Sequence, residues 1–217
     1  MALRAAALVL LLAPQAAAAL AQAAGPVTLV VTQDGKEIGR EELSLTPGRG
    51  RGSPGSTLSV RARYLAAGKT ELTALLERTP ELAIAKFQLD VESPTGPTVI
   101  LAAGSGARLI VRTVARGSES GRELPGGPDV VLLDDEVLSL YTAVADLATP
   151  AGKRLTAIFP RTGKRAAFTA KQESAGEGER QRVVMSGDVS GTIVTDTEGR
   201  LRRLELPGQN KVVQRAE

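Results

Sequence analysis

Nearly everything after Gly25 alternates apolar and polar residues with a period of two, and that pattern removes most fold classes at once. In a strand, successive side chains point to opposite faces, whereas a helix repeats every 3.6 residues. Leu58, Val60, Ala62 and Tyr64 alternate with Ser59, Arg61 and Arg63. Val27, Leu29 and Val31 share a face, and Phe87, Leu89 and Val91 alternate with Lys86, Gln88, Asp90 and Glu92. The same pattern returns at Leu109 and Val111, at Leu155, Ala157 and Phe159, at Val183 and Met185, and at Leu204 and Leu206. One wet face indicates antiparallel strands, because parallel strands covered on both faces read as unbroken apolar runs. Turn signals separate the runs at Asp34-Gly35, Ala67-Gly68, Gly104-Ser105-Gly106, Thr162-Gly163 and Glu198-Gly199. The spacing predicts a mainly β chain of about ten to twelve strands joined mostly as hairpins.

Residues 134–148 break the alternation. The run LDDEVLSLYTAVADLA opens on a capping Asp with acids in its first turn and stops before Pro150, which predicts a helix. Asp135, Ser139, Thr142 and Asp146 form a narrow polar stripe, while Val137, Leu138, Leu140, Tyr141, Val144, Ala145 and Leu147 cover the remaining circumference. A helix apolar on most sides must be wrapped. A large curved antiparallel sheet, a half-barrel or open barrel around this one helix, buries both apolar surfaces, with the stripe as the helix's least buried edge. Tyr141, Leu138 and Val144, together with Phe159, are then the expected lining of any ligand site between helix and sheet.

The first residues read as an address. Arg4 precedes a short apolar core, Pro14 and Gln15 interrupt it, and Ala19-Leu20-Ala21 is a small-residue cleavage site, so 1–21 is expected to be a signal peptide and 22–217 one β-rich domain. A spanning helix needs about 20 consecutive apolar residues, more than this run supplies. The expected location is periplasmic or secreted, at most peripheral to a membrane. None of the 217 residues is Cys, His or Trp, so no thiol nucleophile, imidazole base or Cys/His zinc site exists, and the domain folds without disulfides. Net charge is only +3 and aromatics are 2%, too few for the basic, aromatic-interleaved surface of a nucleic-acid binder.

Short motifs add no chemistry. Residues 50–55 match G-x-G-x-x-G, but a strand pattern follows where a dinucleotide site needs a helix. Gly163-Lys164 has Ile158 in place of the upstream glycine of a P-loop, and Gly117-Ser118-Glu119-Ser120-Gly121 has Glu where a nucleophilic Ser belongs. Asp196-Thr197-Glu198-Gly199 approaches the Asp-Thr-Gly of aspartic proteases, and the inserted Glu makes it a hairpin turn instead. Asp134-Asp135-Glu136 offers hard oxygens to Ca²⁺ or Mg²⁺, yet acids at a helix start already suit the helix dipole. Neither cofactor nor metal is expected.

Taken together, the leader, the opening hairpin VTQDGKEIGREELSL, the long central strands, the helix LDDEVLSLYTAVADLA and the closing hairpin DTEGRLRRLELP resemble exported half-barrel proteins of the lipoprotein-localisation (LolA/LolB-like) type and similar bacterial periplasmic proteins. The resemblance implies an open barrel whose concave face accepts acyl chains, and it brings no catalytic residues. The expected function is therefore non-enzymatic binding of an apolar ligand or an envelope protein on the concave face. The alternative is an assembly factor acting through sheet edges and loops such as Arg49 to Arg51. A hydrolase would need a Ser/Lys couple inside a cleft, or a carboxylate pair drawn from Asp134, Asp135, Asp146, Asp188 and Asp196.

Overall fold

The computed structural model describes residues 25–48, 55–65 and 70–216. The expected signal peptide, the G-x-G-x-x-G match up to Pro54, the basic loop at Arg49 to Arg51 and the Ala67-Gly68 turn lie outside the described residues.

Pairing follows sequence order wherever a tight turn joins two alternating runs. The first meander holds β1 (Val27–Gln33), β2 (Lys36–Pro47), β3 (Ser56–Tyr64), β4 (Thr70–Arg78), β5 (Ile84–Ser93), β6 (Gly96–Ser105), β7 (Arg108–Ala115) and β8 (Ser118–Pro125). After β9 (Val130–Leu132) comes a second meander of β10 (Lys153–Phe159), β11 (Lys164–Glu173), β12 (Glu179–Gly187), β13 (Gly191–Asp196), β14 (Leu201–Leu206) and β15 (Lys211–Arg215). Antiparallel pairing of β1 with β15, Val31 opposite Val213, fuses both meanders into one 15-stranded sheet. Its edges are β8 and β9. Only a short stretch after Pro125 separates these two edges in sequence, so the sheet curls on itself into a nearly closed barrel.

Two glycines show how local chemistry sets the curl. Asp34 and Gly35 both have positive φ, 51° and 75°, the mirror-image turn whose twist matches that of the flanking strands. Gly39 pairs with Tyr64 across β2 and β3, and a Cβ there would lie 2.7 Å from the Tyr64 ring. Glycine at 39 thus lets the tyrosine lie flat along the inner face.

The sheet has more strands than the alternation predicts. Weakly patterned segments such as SESGRELP in β8, and the three-residue β9, pair because a neighbouring strand offers them a ladder. The helix is shorter than predicted. Residues Leu138–Tyr141 form a 3-10 turn and Thr142–Ala145 a single turn of α-helix, α1. Asp134 does not cap it. Its Oδ1 accepts the Glu136 N–H at 2.8 Å, and its carboxylate is gripped by Arg161, which ties residues 134–136 into a separate turn. Beyond α1, Thr149 bridges to Lys171, ending the helix before Pro150.

The plug formed by the 3-10 turn and α1 crosses the interior between β9 and β10, which pair in parallel with Val131 opposite Ala157. Leu138, Leu140 and Val144 are fully buried among inward residues of both meanders, including Leu43, Leu72, Phe87, Ile193 and Leu204. The predicted polar edge is corrected in part. Asp135 is exposed and Asp146 half-buried, but Ser139 and Thr142 are buried, because the nearly closed sheet surrounds the plug on every side.

Candidate functional site at the mouth of the barrel

Two charged residues on inward strand positions hold the plug. Glu41 sits on β2 between inward Gly39 and Leu43, and it is wholly buried. One carboxylate oxygen accepts the Leu138 N–H at 2.7 Å and the Tyr64 hydroxyl at 3.0 Å. The other accepts the Ser139 N–H at 2.8 Å and the Ser139 hydroxyl. Amide groups at a helix start have no intrahelical acceptor, so a carboxylate from a distant strand does what an N-cap side chain ordinarily does. Burial pushes the Glu41 carboxyl above the usual carboxylate range, and the four donated hydrogen bonds oppose that rise. The same burial, with the Glu41 charge beside it, raises the Tyr64 phenol.

Arg78 ends the inward row Leu72, Ala74, Leu76 on β4 and grips the other end of the plug. Its guanidinium donates to the Ala143 carbonyl at 3.3 Å, to Asp146 Oδ2 at 2.5 Å and to Ser56 Oγ at 3.1 Å. At the plug's entry, Arg161 donates to Asp134 and Glu136, and Lys211 Nζ to the Asp135 carbonyl at 2.8 Å. Burial pushes the Asp134 carboxyl up, with Arg161 pulling against it. Arg161 fills the place a cation would take among these acids.

With the plug fixed, a cleft of about 230 Å³ remains open where the turns before β11, β13 and β15 meet. Its walls include Tyr141, Phe159, Val189 and Leu206, and Asp135, Lys164, Asp188, Ser190 and Gln209 stand around them. Tyr141 is only 1% exposed, no described residue hydrogen-bonds its hydroxyl, and the residue lines the cleft. A buried tyrosine usually finds a partner for its O–H. Burial raises this phenol's pKa, and the charges of Asp135 and Asp134 raise it further.

Of the four residues expected to line a ligand site, the structure brings Tyr141 and Phe159 together in this cleft. Leu138 and Val144 lie in the solid core beneath it. The five candidate acids are dispersed. Asp134 and Asp146 are bound to Arg161 and Arg78, and Asp196 anchors the β13–β14 turn through Arg200, Arg215 and the N–H groups of Glu198 and Arg200. Asp135 and Asp188 share the cleft, and both are exposed.

No family model and no curated protein matches this chain. Among solved structures it is similar to the crystal structure of a DUF1089 family protein from Pseudomonas aeruginosa, at 13% identity, with 79% of this chain and 90% of that chain covered and a TM-score of 0.49. A likeness at that level carries no argument about ligand or activity. The large antiparallel sheet around one short helix stands on the structure itself, while the LolA/LolB-like resemblance gains no support from these comparisons.

Proposed function

We propose that the chain is a non-enzymatic exported envelope protein that binds the end of a ligand, or an inserted group of a protein partner, in the Tyr141 cleft. The observation that carries this reading is an almost fully buried tyrosine, its hydroxyl without a hydrogen bond among the described residues, in the wall of an open cleft beside Phe159. Acyl-chain storage on the concave face fits less well, because the plug occupies that face. Pockets for drug-sized ligands run to about 300–1,000 Å³, so the cleft suits one terminal group rather than a whole lipid. Export rests on the leader pattern at residues 1–21. The non-enzymatic reading rests on the acids: general acid–base pairs converge within hydrogen-bond reach, whereas Asp134, Asp146 and Asp196 are bound in ion pairs and Asp135 and Asp188 are exposed at the cleft.

Thermal-shift screening of fatty acids, lipids and small polar metabolites tests the proposal against Ser190→Trp, which fills the cleft from an exposed position. Ligands that raise the melting temperature of the native chain and not of the tryptophan variant support it. Equal shifts in both proteins place binding elsewhere and refute it.

A second reading, an assembly factor working through the sheet edge, is favoured by one observation. Ile110 and Val114 are exposed apolar residues on the outer face of β7, next to edge strand β8. Pull-down with Ile110→Asp as control tests it, and the absence of a reproducible partner lost in that variant removes it.

A further inference from the structure

The cleft gathers three charged side chains, Asp135, Asp188 and Lys164, that form no ion pair among the described residues. With the neighbouring Asp134, Glu136, Arg161 and Lys211 counted, four carboxylates against three cations leave the mouth net negative. The Tyr141 phenol senses that field, since Asp135 and Asp134 contribute to its raised pKa. Lys164 is not free in the cleft: its Nζ lies 5.6 Å from the centre of the Phe159 ring, the distance at which a cation is drawn to a ring face. An amine of the protein's own chain already sits on the aromatic wall.

We infer that the cleft receives an organic ammonium group, with the Tyr141 hydroxyl oxygen, Asp135 and Asp188 as acceptors and the Phe159 ring as its wall, in the place Lys164 holds until it is displaced. The inference rests on the Tyr141 cleft being the binding site. Two carboxylates disfavour an anionic ligand. A hard metal ion is disfavoured as well, because it gains little from a phenyl ring and no group of three metal-ligating side chains gathers among the described residues.

Two tyrosines in the chain, Tyr64 and Tyr141, make the test direct. Ring-labelled tyrosine gives two sets of NMR signals, assigned with Tyr141→Phe, and the buried Tyr64 reports that the fold is intact. Full-length mature protein is titrated with n-butylammonium chloride, sodium butyrate and n-butanol at matched ionic strength. Butylammonium is expected to move the Tyr141 signals saturably and leave Tyr64 in place. Changing Asp135 and Asp188 to Asn weakens binding about two- to fivefold per carboxylate, as for exposed ion pairs, and added salt weakens it too. Lys164→Ala, which clears the ring and removes a like charge, tightens it by a similar factor. Butyrate or butanol moving Tyr141 as far as butylammonium overturns the ammonium assignment and leaves the cleft a binding site. If no probe moves Tyr141, both readings fall.

Discussion

Replacing Glu41 by Ala should cost more stability than any other single polar substitution on β2, because it strands the start of the plug. The side chain accepts two backbone N–H groups and two hydroxyls, all in the interior. The hydroxyls of Tyr64 and Ser139 can rotate towards other acceptors, whereas the Leu138 and Ser139 N–H groups are fixed by the backbone. Leaving a buried donor unsatisfied costs about 1–3 kcal/mol, so two of them, with the cavity left by the removed atoms, give about 3–6 kcal/mol. Domains of this kind have only about 5–15 kcal/mol in total. For a chain of this length the loss lowers Tm by about 10–20 °C. Urea and thermal unfolding followed by circular dichroism measure it, with Glu42→Ala on the exposed face of the same strand as the control, expected within about 0.5 kcal/mol of the native chain. Equal stability of the two variants would show that the plug does not depend on the Glu41 carboxylate.

Val144→Asp, which places a charge at a fully buried point of α1, should prevent folding or leave a barely stable protein by the same unfolding assay. Thr142→Val should raise stability by about 1 kcal/mol, because the Thr142 hydroxyl is buried without a partner and valine keeps its shape; destabilisation would mean the hydroxyl has an acceptor in solution. For pH, Glu41 has a folded-state pKa above its ordinary value of 4.5, so its contribution is complete below that value and is lost as pH rises through the folded pKa. The stability advantage of the native chain over Glu41→Gln should therefore shrink from pH 4 upwards, and an advantage that grows with pH would contradict burial as the dominant influence. Asp196 runs the other way: burial is outweighed by hydrogen bonds from Arg215 and Arg200, its pKa is lowered, and its advantage over Asp196→Asn should fade as pH drops below about 4.

The sheet was legible because its rule is local. Period-two alternation at Leu58 to Tyr64 or Phe87 to Val91 needs no knowledge of partners, and those residues are buried as the pattern requires. Closure was not legible. β8 and β9 carry little pattern, and their roles as the two edges follow from topology. The helix is shorter than its pattern because the acids at 134–136 resemble a helix start in sequence, while in space Arg161 claims them and the cap, Glu41, lies on β2. A signal for both anchors was present: Glu41 and Arg78 occupy inward parity on strands whose other inward residues are apolar or glycine. A charge at such a position marks either an error in the pattern or a buried partner. Tyr141 and Phe159 could be placed in the interior from sequence, but their meeting at an opening depends on three turns far apart in the chain.

Native mass spectrometry of the protein, purified gently from cells that express it, tests the binding account most directly. The native chain should carry an added small-molecule mass in part of its population. The Ser190→Trp variant, prepared in parallel and shown to melt at the same temperature, should carry none. A native chain that never retains an added mass, or a variant that retains the same one, would contradict the assignment of the Tyr141 cleft as the site of function.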